Sequence, residues 1–126
     1  MKKNILILGS ALLLPQLSQA KTIFVSPNGN DSANGTIEAP LASLPAAYQK
    51  VESGDTVYFR GGIYHITDEQ VMKFHKKYAF VFALEKAGTV SKRTCFMGYP
   101  GERPVFDFSA LQLGGKYRIG AFYLGA

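Results

Sequence analysis

Hydrophobic and polar residues alternate along several short stretches of this chain, as they do in strands with one buried face. Within residues 55–60, Val57 and Phe59 share one side, and polar or amphipathic residues occupy the other. Residues 105–108 alternate in the same way, and residues 21–25 form a further β-prone run. The pattern predicts a protein built mainly from short strands.

Two stretches have helical features instead. An apolar stripe at three- and four-residue intervals runs through residues 40–51, formed by Leu44, Ala47, Tyr48 and Val51. Ser43 precedes this stripe, at a position where serine caps the first turn of a helix. Residues 67–70, TDEQ, have the form of a capping box. The short apolar face predicted after this box consists of Val71, Phe74 and Tyr78.

Glycine and proline separate these elements. The Gly-Gly pairs at residues 61–62 and 114–115 indicate tight corners, and Pro100 and Gly101 fill the central positions that a type II turn favours. Short strands joined by such corners are typical of a coil that winds upon itself. We therefore predict an all-β fold, a right-handed parallel β-helix (solenoid) whose amino-terminal cap contains one short helix, with only the first few coils present.

The chain divides into four segments along this predicted stack. Residues 1–20 form a secretory signal peptide, and residues 21–66 form the amino-terminal cap and first coil. Residues 67–92 are an excursion from the stack, and residues 93–126 are the next coils, truncated within an aromatic, strand-like run. Because function in such stacks usually lies on later coils, we expect this chain alone to be inactive.

The spacing of two aromatic strand segments indicates the length of one coil. Phe96 and Ile119 are 23 residues apart, within the range of about 20–45 residues for solenoid repeats. We therefore expect parallel pairing among the segments near residues 57, 96 and 119.

The first 20 residues have the features of an export signal. Two lysines precede an apolar run that is too short to cross a bilayer, which needs about 20 residues. Small residues before Lys21 fit the cleavage rule, so we predict cleavage between Ala20 and Lys21. A retained signal anchor is the alternative. The predicted mature protein is secreted (periplasmic or extracellular), without stable membrane insertion.

Charge and cysteine content narrow the function classes. The formal net charge of +5 falls to +3 when the two leader lysines are removed, which is less than the dense basic patch typical of nucleic-acid binding. The mild excess is compatible with an acidic substrate. Cys95 is the single cysteine, so no intrachain disulfide forms. Its β-prone surroundings favour a small buried hydrophobe over a nucleophile.

Several motifs occur in an order that resembles the amino-terminal cap of secreted right-handed parallel β-helix proteins. They are IFVSPNGND at 23–31, GT at 35–36, PLASL at 40–44, GDTVY at 54–58 and GGIY at 61–64. The sequence GYPGERPVFDF at residues 98–108 adds a closer match. It resembles the family 9 polysaccharide lyases, which act on pectic polymers such as polygalacturonate or rhamnogalacturonan.

The resemblance implies an enzyme that cleaves an acidic, plant-type polysaccharide by β-elimination. A lysine would remove the C5 proton, and calcium held by aspartates would neutralise the adjacent carboxylate. The aspartates of this chain are scattered and no lysine lies in a matching motif, so no catalytic or metal residue is assigned, and the substrate-binding residues stay unknown. The four mature-chain aspartates are Asp31, Asp55, Asp68 and Asp107. A complete protein of this kind is expected to be a monomer.

Two other function classes remain open. One is a non-catalytic β-helix module that binds glycans or acts as an adhesin, and the other is a glycoside hydrolase on the same scaffold. A calcium loop at residues 28–35 is disfavoured, because Asp31 is its only acidic residue and the spacing does not match an EF-hand.

A few side chains are candidates for substrate contacts. A basic cluster would attract an anionic sugar chain or form a solvated helix face; its members are Lys73, His75, Lys76 and Lys77. Tyr58 and Arg60 share an outward strand face, where the arginine suits a carboxylate and the tyrosine a sugar ring. His65 is a proton shuttle or a polar strand end, and Asp107 is an outward strand residue.

Overall fold

The computed structural model describes residues 19–86 and 88–125, so residues 1–18 of the predicted leader lie outside the described residues. Within these ranges the chain forms eight strands, one α-helix and two 3-10 turns. The strands are β1 (Thr22–Val25), β2 (Thr56–Phe59), β3 (Gly62–His65), β4 (Lys73–His75), β5 (Tyr78–Leu84), β6 (Cys95–Gly98), β7 (Pro104–Asp107) and β8 (Arg118–Leu124). The helix α1 spans Leu44–Lys50, and the 3-10 turns span Asp68–Gln70 and Leu113–Gly115.

The strands form three sheets that the chain visits in turn. The first sheet has the order β1-β2-β6, the second β3-β7 and the third β4-β5-β8. All neighbours pair in parallel except β4 and β5, which form an antiparallel hairpin. Because the chain passes from the first sheet to the second and third and then returns, it follows the path of a parallel β-helix. The predicted all-β class is confirmed.

One coil of this β-helix takes about 40 residues. Partners in successive coils are 39, 42 and 40 residues apart in the three sheets, as in the pairs Thr56–Cys95, Gly62–Pro104 and Tyr78–Arg118. Val57 lies opposite Phe96, as predicted. Ile119 lies opposite Ala79 in the third sheet, so the prediction of a 23-residue coil is wrong. That interval carries the chain from the first sheet through the second to the third.

The segment predicted as an excursion contributes to the stack. β5 lies within residues 67–92, yet it pairs in parallel with β8. The helical face predicted from Phe74 and Tyr78 is wrong, since these residues belong to the two strands of the β4–β5 hairpin. Thr67 makes no side-chain cap bond, and its hydroxyl donates instead to the Glu69 carboxylate at 2.8 Å. The predicted capping box therefore forms only a 3-10 turn.

The cap of the β-helix agrees with its sequence pattern. Ser43 caps α1, with its Oγ accepting from the Ala46 N–H at 3.3 Å, and the helix lies within the predicted residues 40–51. The carboxylate of Asp31 accepts from the Ser43 hydroxyl at 2.8 Å, so the turn-rich loop holds the cap in place. The predicted type II turn is also present, with Gly101 at φ +77°.

Apolar side chains from all three sheets fill the coil. The core includes Ile23, Val25, Val57, Phe59, Tyr64, Val81 and Phe82. The Tyr64 hydroxyl donates to the Val25 and Arg60 carbonyls at 2.9 and 2.8 Å, and burial raises the pKa of Tyr64. Val81 and Phe82 are both buried although they are neighbours on one strand. The register offset is 40 on either side of them, so β5 and β8 change their inward faces together.

Candidate functional site

A row of aromatic rings lies on the outer surface of the first sheet; its members are Phe24, Tyr58 and Tyr99. Phe24 and Tyr58 are register partners, and their rings stack with centroids 5.9 Å apart. Tyr99 meets Tyr58 edge-on at 5.6 Å. The row faces outward because side chains alternate along a strand, and the residues adjoining Tyr58 are buried. Such rings suit the apolar faces of sugars.

Arg60 lies beside this row but already has a carboxylate partner. Its Nη2 donates to Glu102 Oε1 at 2.6 Å and its Nε donates to Oε2 at 2.9 Å. The guanidinium carbon lies 4.7 Å from the centroid of the Tyr99 ring. The Gly61 N–H donates to Glu102 Oε2 at 2.7 Å. Arg60 therefore links consecutive coils, and its charge is neutralised before any substrate carboxylate arrives.

The same contacts make the fold sensitive to acid at Glu102. Bonds from Arg60 and from the Gly61 N–H lower the pKa of Glu102 to about 2, from the ordinary 4.5. A depressed pKa stabilises the folded state fully above pH 4.5, and the contribution is lost as the pH falls toward 2. We expect Glu102→Gln to remove this part of the acid dependence, measured as urea midpoints between pH 5 and pH 2.5. Glu38→Gln, at an exposed carboxylate, should keep the wild-type profile; identical profiles for both variants would contradict the assignment.

His65 has an acidic partner that the linear sequence does not reveal. It is the register partner of Asp107, and its Nδ1 lies 3.2 Å from the Asp107 carboxylate. The Ser109 N–H also donates to Asp107, at 2.9 Å, and the bonds from Ser109 and then from His65 lower the pKa of Asp107. The signal that would have found the pair is the 42-residue offset of the second sheet. Sequence analysis missed it because the coil length was wrong.

The predicted basic cluster divides into two parts. Lys73 donates to Glu85, a bond that raises the pKa of Lys73, and its ammonium lies 4.1 Å from the centroid of the Tyr123 ring. Lys76 and Lys77 form the turn of the β4–β5 hairpin. The cluster is therefore not a helix face. The structure places Arg118 of the next coil beside the turn, since its N–H donates to the Lys77 carbonyl at 2.7 Å.

The described residues do not provide a calcium site. Across residues 19–86 and 88–125, no three His, Cys, Asp or Glu side chains come together in a group that could hold a metal. Each aspartate accepts a backbone N–H of a different segment: Asp31 from Ala42, Asp55 from Glu52, Asp68 from Gln112 and Asp107 from Ser109. These carboxylates organise turns and cannot act as one ligand set.

Three further sequence expectations concern the start of the mature chain, the cysteine and the membrane. Ala20 and Lys21 are exposed, and the Lys21 N–H donates to the Asp55 carboxylate at 2.9 Å. Cys95 is half-buried at the start of β6, so the predicted fully buried position is wrong; its neighbour Phe96 is the residue packed against the core. Over the part of the chain that the structure describes, no helix combines the length and apolar character needed to cross a membrane.

The sheets and their outer surfaces define a parallel β-helix of the kind found in carbohydrate-active proteins. A family model for the Pel9A-like, right-handed β-helix region matches residues 23–124, and the chain belongs to this family. The relation to polysaccharide lyases that the cap and the GYPGERPVFDF motif predicted is confirmed at the level of this family.

Several relatives agree with this assignment. Pectate lyase PEL9 of Emericella nidulans is 36% identical over 97 residues, which are 77% of this chain and 20% of that protein. A solved rhamnogalacturonan lyase is similar with a TM-score of 0.77 and 34% identity, covering 82% of this chain and 25% of its own. Pectate lyase Pel9A gives a TM-score of 0.59 and 26% identity, covering 82% and 24%. The chain thus spans about a fifth to a quarter of these relatives.

Proposed function

We propose that this chain is the amino-terminal part of a secreted polysaccharide lyase that cleaves pectic, uronate-containing polymers by calcium-assisted β-elimination. The observation that carries the proposal is the match of residues 23–124 to the Pel9A-like β-helix region, together with relatives named pectate lyase and rhamnogalacturonan lyase. The monomeric state and export after cleavage at Ala20–Lys21 belong to the same proposal.

The chemistry requires groups beyond those described here. In β-elimination a base removes the C5 proton next to the uronate carboxylate, a C4–C5 double bond forms, and the glycosidic oxygen leaves from C4. Calcium, when bound, would make that proton more acidic by neutralising the carboxylate. The described residues hold no ligand set for calcium, so under this proposal the ligands and the base lie on other coils.

The described coils would contribute the frame of the site. The cap closes one end of the hydrophobic core, and the Arg60–Glu102 contact holds neighbouring coils in register. On the first sheet, the aromatic row of Phe24, Tyr58 and Tyr99 extends along the stacking direction of the strands. A sugar chain lying along the stack would meet these rings before reaching the later coils.

The test uses the complete gene product that contains this chain. Incubation with polygalacturonate and with rhamnogalacturonan is followed by the ultraviolet absorbance of the unsaturated uronate ends. We expect absorbance to rise on one of these substrates, to stop when a calcium chelator is added, and to resume when calcium is restored. Saturated products would indicate hydrolysis instead, and no cleavage of either polymer would contradict the lyase proposal.

A non-catalytic glycan-binding module is a second candidate. It is favoured by the lack of a metal-binding group in the described residues and by exposed basic side chains without carboxylate partners. A gene product that binds pectic polymers and leaves them intact would select this candidate over the lyase.

A further inference from the structure

A cleft with a basic lining lies at the edge of the third sheet, where the β4–β5 hairpin meets the start of β8. It is lined by Lys76, Lys77, Tyr78 and Arg118 and has a volume of about 280 Å³. Tyr78 and Arg118 are register partners in adjacent parallel strands. Strands in a sheet are about 4.8 Å apart, so the side chains of consecutive coils converge on one small surface. Residues that are some 40 positions apart in sequence therefore form one site.

The positive charges of this cleft are not neutralised by the protein. All three basic side chains are exposed, and none makes an ion pair with a carboxylate in the described ranges 19–86 and 88–125. The contrast with Lys73 and Arg60 is informative, because those cations on the same molecule pair with Glu85 and Glu102. The lining contains no acidic residue. The cleft therefore attracts anions.

An aromatic surface supports the basic groups. The Tyr78 ring is 40% exposed and stacks on Phe80, with centroids 5.7 Å apart and planes 12° apart. Phe80 lies flat over Gly120 of the next coil, where an added Cβ would come within 2.5 Å of the ring. Gly120 thus makes room for Phe80, and Phe80 in turn orients Tyr78. A ring held in this way presents a face for a sugar beside the cations.

The hairpin turn keeps a lysine where the backbone does not favour one. Lys76 has φ +55°, the left-handed region that glycine and asparagine normally occupy. It is the one non-glycine residue with positive φ in the part of the chain that the structure describes. Sparsely populated backbone conformations cluster at functional sites. The positive side chain at this turn is consistent with a binding role rather than with turn formation.

We propose that the cleft of Lys76, Lys77, Tyr78 and Arg118 binds the carboxylates of a uronate-containing polysaccharide. The choice of this ligand class rests on the proposed function, and the geometry favours it over a lipid phosphate surface. A planar guanidinium matches a carboxylate with two parallel bonds, and the two lysines supply further charge. Tyr78 adds a surface for a sugar ring, which a membrane headgroup does not require. The polymer would cross the edge of the third sheet from one coil to the next.

The experiment measures binding of polygalacturonate to the chain by isothermal titration, at low salt and at 0.15 M salt. The test variant is Lys77→Gln/Arg118→Gln. The matched control is Lys50→Gln/Arg103→Gln, which removes one lysine and one arginine from exposed positions outside the cleft. We expect the test variant to lose affinity by at least about tenfold, the effect of one charged hydrogen bond. The control should change affinity by less than about twofold, since only long-range attraction is reduced.

A third variant separates binding from folding. Lys76→Gly removes one cation and relieves the left-handed backbone, so we expect an equal or higher thermal midpoint together with weaker binding. Circular dichroism checks that all variants keep the wild-type β signal. A variant with unchanged affinity and a raised midpoint would assign Lys76 to the turn alone and overturn its part in the site.

The remaining outcomes decide between ligand sources. No polygalacturonate binding by the wild-type chain, or equal losses in the test and control variants, would overturn the inference. Binding to vesicles of anionic phospholipid but not to polygalacturonate would overturn it in favour of a membrane surface. Because binding needs no catalysis, loss of the lyase proposal alone leaves the cleft result intact. Conversely, an active lyase whose cleft variants bind normally would remove only this inference.

Discussion

Phe82→Ala is expected to lower the free energy of unfolding by about 3–5 kcal/mol, the range for deleting a buried aromatic side chain. Phe82 is 1% exposed and lies between the second and third sheets. Its ring meets those of Phe106, Phe108 and Phe122 with centroid distances of 5.1, 6.1 and 5.3 Å. Truncation would leave a cavity that the β-helix cannot close, because each strand is held by parallel partners. Chemical denaturation monitored by circular dichroism provides the measurement.

The matched control for this prediction is Phe74→Ala. Phe74 belongs to the same sheet and loses the same atoms, but it is 52% exposed and has one ring contact, with Tyr117 at 5.1 Å. Its cost should remain below about 1 kcal/mol. Equal effects of the two substitutions would contradict the placement of Phe82 inside the coil.

Asp55→Asn is expected to lower the free energy of unfolding by about 2–3 kcal/mol, the scale of charged hydrogen bonds to a buried group. Asp55 is 2% exposed. Its Oδ1 accepts from the Lys21 N–H at 2.9 Å, and its Oδ2 accepts from the Glu52 N–H at 2.8 Å. An amide keeps one acceptor and turns a donor toward the other N–H. The carboxylate therefore joins the start of β1 to the turn that follows α1.

The Asp55 contact also relates to processing of the chain. If cleavage follows Ala20, as predicted, the nitrogen of Lys21 becomes the charged α-amino group, and the destabilisation by Asp55→Asn should be larger in a chain that begins at Lys21. Asp68→Asn is the control, because Asp68 is more exposed and its side chain accepts one backbone N–H, from Gln112. Urea titration should show an effect below about 1 kcal/mol for this variant. A larger loss at Asp68 than at Asp55 would contradict the assigned anchor.

The elements predicted correctly are those specified by neighbouring residues. Ser43 caps α1, Gly101 adopts the positive φ of a type II turn, and Val57 and Phe59 are buried on one side of β2. Each depends on a few adjacent side chains and on the backbone preferences of glycine or serine. Such features form whatever the rest of the chain does, so they can be inferred without knowing the fold.

The prediction failed where a strand has no simple alternation. In β5 the inward face changes between Val81 and Phe82, so both are buried and the apolar run has no period of two. The hairpin before it was predicted as a helix because Phe74 and Tyr78 are four residues apart, a spacing that suits both a helical face and a short hairpin. Tertiary pairing of β5 with β8 decided between them.

The sequence by itself determined the export signal expectation, the capped helix, the first strands and corners, and the relation to a β-helix family. Only the tertiary structure decided the 40-residue coil offset, and with it the partners His65–Asp107, Arg60–Glu102 and the cleft beside Arg118. The reason is physical. Parallel strands in a β-helix bring together residues about 40 positions apart, and their register depends on packing of the whole coil, which no local pattern of side chains specifies.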